Sequence, residues 1–257
     1  MADFMLSSDT LGLMRYVDKL RSRIPTACVL CKGRTHGGGL CAGCTDDWHY
    51  RYQQVRWRCQ RCKVAQLGGA AREQAQCQRC VERPLALQQL AVAFDYMMPL
   101  DSLIWRFKSH QQLRLAPVLA RMMQQAILRD GWSLPPTTVV TYIPSRQQAL
   151  NRRGFNPAAE LARYLARLLG LRLVYQAYGL QGESYQEQKR RSQGQRWAYA
   201  QHAFSWQLPA ADTPTSVLVV DDVYTTGSTL HGAAHCALQH GVQQVHGIAL
   251  ARVPWFM

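Results

Sequence analysis

The 257-residue sequence is 47% apolar and has 30 lysine and arginine residues against 16 acidic ones, a formal net charge of +14. That length and apolar fraction allow one full-sized core plus a small extra module, and they exclude a largely disordered chain. No apolar run reaches 18 residues, which excludes a membrane-spanning helix and membrane insertion.

The charge excess is carried mostly by arginine, because only five of the cationic side chains are lysines. Arginine binds phosphate groups in a bidentate manner, so the composition favours phosphorylated ligands or nucleic acid as partners. A solvated basic surface without a specific partner is the alternative.

Residues 1–27 form the first predicted segment, whose apolar positions recur at helical spacing over 1–24. Acidic and arginine side chains interrupt this stretch, so it lacks the apolar centre and cleavage site of a signal peptide. We therefore expect a cytoplasmic protein whose thiols stay reduced. In that compartment metal binding by cysteine is favoured over disulfide formation.

A cysteine-rich module is predicted over residues 28–84, where few Leu, Ile and Val residues are available to form a core. Its four Cys-x-x-Cys pairs are Cys28/Cys31, Cys41/Cys44, Cys59/Cys62 and Cys77/Cys80. Two such pairs supply the four thiolates of a closed, structural zinc site, so the segment predicts two Zn²⁺ sites. Gly33 and Gly43 are expected in the tight turns of these pairs.

The spacing leaves two pairings open. The short gap between Cys31 and Cys41 favours the joining of adjacent pairs, whereas a cross-brace would interleave them. Iron–sulfur ligation and a redox dithiol are the alternatives to zinc. Cys236 stands apart on a predicted helix and is interpreted as a small core residue.

Residues 85–257 alternate between strand and helix patterns, which is typical of a parallel α/β sheet covered by helices on both faces. Strands are predicted over 90–96, 138–143, 171–175, 216–220 and 245–251. Helices are predicted over 100–109, 116–129, 157–169 and 228–240. A basic loop is expected between the second strand and the helix at Pro157.

The stretch from Ser216 onward contains the most informative motif, Ser-Val-Leu-Val-Val-Asp-Asp-Val-Tyr-Thr-Thr-Gly-Ser-Thr. An apolar strand runs into Asp221 and Asp222, and a short loop of small and hydroxyl residues opens a helix. Such loops bind phosphate through exposed N–H groups and the positive end of the helix. The residues expected at the phosphate are Thr225, Thr226, Gly227, Ser228 and Thr229.

This motif resembles the PRPP (phosphoribosyl pyrophosphate) loop of type I phosphoribosyltransferases almost residue for residue. The resemblance implies that Asp221 and Asp222 bind the ribose hydroxyls and that Thr225–Thr229 bind the 5-phosphate, with Mg²⁺ accompanying PRPP. Purine-salvage members have Asp where this chain has Thr225, so a purine acceptor is not implied. Residues 186–204, with Lys189, Arg190, Arg191 and Arg196, resemble the hood over the sugar.

The whole chain resembles the ComF family, bacterial proteins linked to DNA uptake in natural transformation that include GntX-type members. The four cysteine pairs, the PRPP loop and the block Arg152-Arg153-Gly154-Phe155-Asn156 carry this resemblance. It implies a type I phosphoribosyltransferase-like fold, with pyrophosphate or phosphate contacts at Ser145, Arg146, Arg152 and Arg153. Asn156 is expected to cap the following helix, Phe155 to enter the core, and Lys108 to be a further candidate anion contact.

Three functions follow from these expectations. The first is a binding module that holds PRPP or ribose 5-phosphate and contacts single-stranded DNA or transformation proteins. The second is a phosphoribosyltransferase acting on an unidentified nitrogen acceptor, for which the sequence indicates no catalytic base. The third is a zinc-dependent scaffold, which the intact loop disfavours.

Overall fold

The structure is a computed structural model that describes residues 20, 23–55, 57–65, 76–181, 197, 200 and 202–254. The chain divides into two compact units, Met1–Arg51 and Tyr52–Met257. The first pair of Cys-x-x-Cys motifs lies in the smaller unit, and the second pair lies in the larger one. The predicted divisions after residues 27 and 84 stay predictions.

The smaller unit contains a hairpin followed by a helix. Strands β1 (Pro25–Ala27) and β2 (Arg34–His36) pair in antiparallel fashion, and helix α1 spans Ala42–Gln53. Cys28 and Cys31 lie in the turn of the hairpin, while Cys41 and Cys44 lie at the start of the helix. Gly43 therefore lies inside α1 rather than in a turn, which corrects its expected position.

The larger unit is built on a parallel sheet. Its elements in chain order are α2 (Gln78–Glu82), β3 (Gln89–Asp95), α3 (Asp101–Ser109), α4 (Ala116–Arg129), β4 (Val139–Tyr142), α5 (Gln147–Arg153), α6 (Pro157–Leu169), β5 (Arg172–Leu173), β6 (Tyr178–Leu180), β7 (Phe204–Trp206), β8 (Ser216–Tyr224), α7 (Ser228–Gln239) and β9 (Gln244–Arg252). Five strands form one sheet in the order β3-β9-β8-β4-β5, with every pairing parallel. Strands β6 and β7 form a separate antiparallel pair.

Helices cover both faces of this sheet. Successive side chains of a strand point to opposite faces, and Val217 and Val219 of β8 pack in one cluster with Leu230 of α7. Leu218 and Val220, which point the other way, are equally buried. Helices α4 and α6 pack against each other and against the sheet. The predicted α/β class, a parallel sheet with a cysteine-rich N-terminal module, is confirmed.

The segment before the second cysteine cluster is fixed to the sheet by Tyr52. Its ring lies between the guanidinium groups of Arg58 and Arg129, at 3.9 and 3.5 Å from the ring centre. Arg58 forms a bidentate ion pair with Asp95 at 2.6 and 3.0 Å, and Arg129 donates to the carbonyl of Val92 at 2.8 Å. Because both acceptors belong to β3, the segment is anchored to the edge of the sheet.

The predicted helices over 116–129 and 157–169 have the observed bounds, and the other two differ by one residue at one end. The expected basic loop instead contains helix α5. Strand β8 continues past the predicted end at Val220, through both acidic residues to Tyr224. Among the described residues, no helix combines the length and the apolar character needed to cross a lipid bilayer.

Candidate functional site

A cleft of about 270 Å³ opens where β4 and β8 end. Its lining residues are Ile143, Pro144, Arg146, Leu180, Ala200, Ala203, Phe204, Thr225, Thr226, Ser228 and Thr229. Strands β8 and β4 are neighbours in the sheet. The strand that follows β8 in the chain, β9, lies on one side of this pair, and the strand that follows β4, β5, lies on the other side. The cleft thus lies at the point where the strand order reverses, which is where open α/β sheets bind their ligands.

The loop from Thr225 to Ser228 forms one wall of the cleft at the start of α7. The hydroxyls of Thr226 and Ser228 lie 2.9 Å apart, and the Ser228 N–H donates to Thr226 Oγ1 at 3.3 Å. The N–H groups in the first turn of a helix have no acceptor within the helix and carry partial positive charge. The wall therefore offers hydroxyl and amide donors suited to a phosphate group.

Gly227 is required by the shape of this loop. Its φ of 84° lies in the left-handed region, which residues with a Cβ adopt only at a cost. A Cβ at this position would also collide with the hydroxyl of Tyr224. Both facts restrict the position to glycine.

Two arginines bind the carbonyl groups of the loop. Arg79 Nη2 donates to the Thr226 carbonyl at 2.9 Å, and Arg252 Nη1 donates to the Thr225 carbonyl at 3.4 Å. Arg252 is buried, and its guanidinium lies 4.6 Å from the centre of the Tyr224 ring. A carbonyl oxygen repels an anion, so engaging these oxygens makes the loop more favourable for phosphate.

The two neighbouring carboxylates of β8 have different environments. Asp222 Oδ2 pairs with Lys108 Nζ of α3 at 2.8 Å. Asp221 is buried, and its Oδ1 accepts the N–H of Asp222 at 2.8 Å. Burial, with a further contribution from the charge of Asp222, raises the pKa of Asp221 to about 7. Asp221 thus gains its charge near neutral pH.

Ionised Asp221 should destabilise the fold, so we expect Asp221→Asn to stabilise the protein above pH 7. The pKa is about 7 in the folded state against an ordinary 3.8, and between these values the folded state holds a proton that the unfolded state has lost. Stability therefore falls as pH rises from about 4 to about 7, by on the order of 4 kcal/mol in total.

Thermal unfolding at pH 5 and pH 8 checks this expectation. The gain in Tm of Asp221→Asn over the wild type should be clearly smaller at pH 5 than at pH 8. Asp212→Asn, at an exposed acid of the same unit, should give no such difference. An equal Tm change at both pH values would contradict the account.

The predicted pyrophosphate contacts are only partly brought together. Arg146 lines the cleft, but Ser145, Arg152 and Arg153 are not among its lining residues. Arg152 and Arg153 lie in the last turn of α5, which the left-handed Gly154 ends at φ 76°. Their role at a ligand stays a prediction.

The remainder of the Arg-Arg-Gly-Phe-Asn block has a structural role. Asn156 Oδ1 accepts the N–H groups of Ala158 and Ala159 at 3.0 and 3.4 Å, which confirms it as the cap of α6. Its Nδ2 also donates to the carbonyl of Ile143 at 2.9 Å, which joins the start of α6 to the end of β4. Phe155 packs edge-on against Phe107, with ring centres 5.4 Å apart.

The eight paired cysteines form two clusters by adjacent pairing, which resolves the two patterns that the sequence left open. In each cluster all four sulfurs lie within 4.8 Å of one another, and the members are Cys28, Cys31, Cys41 and Cys44 in the first and Cys59, Cys62, Cys77 and Cys80 in the second. Four sulfurs bonded tetrahedrally to zinc at about 2.3 Å lie about 3.8 Å apart. The Cys31–Cys41 and Cys62–Cys77 sulfur distances are 3.6 and 3.7 Å. The donor set and its size therefore fit one Zn²⁺ ion per cluster.

Each cluster contains a backbone turn of the same kind. Lys32 and Lys63, each directly after the second cysteine of a pair, adopt left-handed φ values of 68° and 58°. Their N–H groups donate to the carbonyls of Cys28 and Cys59 at 3.1 and 2.8 Å. The first cysteine of each turn also accepts backbone N–H bonds at its sulfur, including one from Cys41 and one from Cys77, both at 3.3 Å. These bonds favour thiolate, the form that binds metal.

The clusters differ in burial. All four cysteines of the second cluster are buried, and they belong to the same core cluster as Tyr224 and Leu230. In the first cluster only Cys28 is buried and Cys31 is exposed. Cys236 is buried on α7 apart from both clusters, as expected for a core residue.

Some predicted features lie outside the described residues. These are most of the first helix and, in the segment that resembles the hood, Lys189, Arg190, Arg191 and Arg196. The pairing of Lys108 with Asp222 and the contacts of Arg79 and Arg252 were not predicted as such. For Arg79 a signal existed, because the sequence Cys-Gln-Arg-Cys occurs twice, at Cys59–Cys62 and at Cys77–Cys80.

Comparison with known proteins gives relatives that match nearly the whole chain. DNA utilization protein YhgH of Salmonella typhi is 30% identical over 234 residues, which cover 89% of this chain and 98% of that protein. YhgH of Escherichia coli K12 is 28% identical, with the same coverage. Competence protein F of Haemophilus influenzae is 29% identical over 88% of this chain and 96% of its own length. No family model matches the chain.

Proposed function

The chain belongs to the ComF family, which includes DNA utilization protein YhgH and competence protein F, and we propose that it is a PRPP-binding protein of this family that supports DNA uptake. One observation carries the proposal. The hydroxyl-rich start of α7 and Arg146 line one cleft at the reversal point of the sheet, and the strand that leads into this loop carries buried Asp221 and half-buried Asp222. This combination suits a sugar that carries a phosphate.

In the proposed complex the 5-phosphate of PRPP or ribose 5-phosphate binds Thr225–Thr229. Asp221 and Asp222 accept hydrogen bonds from the ribose hydroxyls, and Asp221 does so in its ionised form. Arg146, which lines the cleft, contacts the pyrophosphate in this proposal, with Ser145, Arg152 and Arg153 as further candidates. Mg²⁺ accompanies PRPP as part of the ligand, because it neutralises adjacent phosphate groups.

Each cysteine cluster in this proposal holds one structural Zn²⁺. Four protein thiolates close the coordination shell and leave no position for substrate or water. The zinc therefore supplies folding energy rather than chemistry. Eight reduced thiols suit the cytoplasm, which is the proposed location.

The DNA-related part of the proposal rests on the relatives, whose names refer to DNA utilization and competence. The net charge of +14 supports contact with a polyanion. Single-stranded DNA or proteins of the transformation machinery are the proposed partners.

A phosphoribosyltransferase that acts on an unidentified nitrogen acceptor is the second candidate. The observation that favours it is the apolar part of the cleft lining, formed by Leu180, Ala203 and Phe204. Such a wall suits the face of a flat acceptor near the sugar. Pyrophosphate release from PRPP in the presence of candidate acceptors distinguishes transfer from binding alone.

A transformation assay tests the proposed function. A strain that lacks the protein is supplied with the wild type or with Asp221→Asn/Asp222→Asn, and DNA uptake is measured by transformation frequency. We expect the wild type to restore uptake and the variant, at equal abundance, to fail. Full restoration by the variant would show that the cleft is not needed for the DNA-related role.

A further inference from the structure

The sequence Cys-Gln-Arg-Cys occurs twice in the second cysteine cluster, and its two arginines have different partners. Arg61 Nη2 donates to the carbonyls of Leu85 and Leu87, both at 2.9 Å. Arg79, at the equivalent position of the second copy, donates to the carbonyl of Thr226 at 2.9 Å. One copy therefore supports the chain leading into the sheet, and the other supports the loop that lines the cleft.

The position of Arg79 depends on the metal site. It lies between the ligands Cys77 and Cys80, on the five-residue helix α2. So short a helix is marginal without tertiary support. The sulfurs of its N-cap Cys77 and of Cys80, in its middle, belong to one cluster. Metal binding at that cluster therefore fixes the backbone from which Arg79 reaches the loop.

Charge and packing also connect the second cysteine cluster with the loop that lines the cleft. A zinc ion with four thiolates carries a net charge of −2, which favours nearby cations. Buried Arg252 lies over the ring of Tyr224 and donates to the Thr225 carbonyl. Tyr224 in turn packs in one core cluster with the four cysteines. Two adjacent carbonyls of the loop are thus bound by cations on the side of the cysteine cluster.

We infer that Arg79 is a positioning residue that couples metal binding at the second cysteine cluster to phosphate affinity in the cleft. This inference rests on the proposed function, because it assumes that the loop binds a phosphate. Arg79 acts through the Thr226 carbonyl, by holding the loop in the conformation that presents its donors. Coupling between two binding sites is reciprocal, so ligand in the cleft must strengthen metal binding by the same factor.

Calorimetric titration of ribose 5-phosphate into the zinc-loaded full chain tests the inference, with Arg61→Ala as the matched control. Arg79→Ala should weaken binding about three- to tenfold, the effect of one lost hydrogen bond. Arg61→Ala removes an equivalent side chain and should leave the affinity unchanged. Arg79→Lys, which keeps a cationic donor group, should recover part of the loss. Tm and zinc content are measured for every variant, so that lost folding is not mistaken for lost positioning.

The outcomes separate the inference from the function on which it rests. If the wild type binds and folded, zinc-loaded Arg79→Ala binds equally well, the inference is wrong and the proposed function stands. Equal weakening of binding by Arg61→Ala and Arg79→Ala would also overturn the inference, because it would show that any disturbance of the second cysteine cluster lowers the affinity. If the folded wild type does not bind, both the proposed function and the inference fail.

The reciprocal measurement uses Cys31→Ser, so that zinc at the second cluster alone is followed. Zinc affinity is measured by competition with a chelator, with and without saturating ribose 5-phosphate. We expect the ligand to raise zinc affinity in this background and to raise it less when Arg79→Ala is added. An effect of the same size with and without Arg79 would contradict the assigned role.

Discussion

Replacing Cys80 with serine is expected to remove one of two zinc ions per chain and to lower the Tm of the larger unit by about 10 °C or more. The cysteines of the second cluster are buried in the same core cluster as β8 and α7. Zinc binding to such sites contributes roughly 10–16 kcal/mol to folding in isolated zinc modules. Each kcal/mol lost lowers the Tm by about 2–4 °C in a domain of this size. Zinc content by elemental analysis and thermal unfolding check the result.

Two matched variants show whether the location of the cysteine decides the effect. Cys31→Ser should also remove one zinc ion but leave the unfolding of the unit Tyr52–Met257 nearly unchanged, because Cys31 belongs to the other compact unit. Cys236→Ser alters a buried thiol outside both clusters and should leave two zinc ions bound. The account is contradicted if Cys80→Ser keeps two zinc ions or unfolds like the wild type.

Gly227→Ala is expected to weaken ribose 5-phosphate binding about a hundredfold. An alanine here would have to adopt a left-handed φ, and its Cβ would collide with the Tyr224 hydroxyl. The loop must therefore shift, and the donors that meet the phosphate shift with it. Loss of one charge-assisted hydrogen bond costs about 1.5–3 kcal/mol, which corresponds to about 10- to 150-fold in affinity. Titration calorimetry on the zinc-loaded protein measures the change.

Gly131→Ala is the control for backbone strain. Gly131 also has a left-handed φ, of 67°, but a Cβ there meets no atom within 4 Å. Both variants should lose about 1–2 kcal/mol of stability from the left-handed φ, and Gly227→Ala should lose more because of its collision. Gly131→Ala alone should keep full affinity. Adding Tyr224→Phe to Gly227→Ala removes the nearest of the colliding atoms and should recover part of the binding. Unchanged affinity in Gly227→Ala would mean that the loop does not hold the phosphate.

The sheet and its main helices could be predicted because their signals are local. Pro157 at the start and Gly170 after the end gave α6 its bounds, and apolar periodicity gave α4. Helix α5 was missed because none of its residues is buried, so no apolar pattern marks it. The end of β8 was missed for a related reason. Its backbone continues to pair with β9 beyond Val220, although the acidic side chains of Asp221 and Asp222 are more typical of a loop than of a strand.

The part of the candidate site that could be predicted is the part formed by one continuous stretch of sequence. The residues from Asp221 to Thr229 are contiguous, so the motif alone indicated the loop and the carboxylates. The contacts of Thr226 with Arg79 and of Asp222 with Lys108 join residues far apart in sequence, and no local pattern encodes such pairs. The left-handed residues of the cysteine turns were also missed. The sequence predicts glycines in these turns, whereas the left-handed residues of the structure are Lys32 and Lys63.

Calorimetric titration of PRPP with Mg²⁺ into the zinc-loaded protein tests the central claim, that the loop after β8 binds a ribose phosphate, most directly. We expect saturable binding at one site per chain in the wild type. Binding should be lost in Asp221→Asn/Asp222→Asn, whose fold is verified by thermal unfolding. Absence of binding by the folded, zinc-loaded wild type, or equal binding by the variant, would contradict the claim.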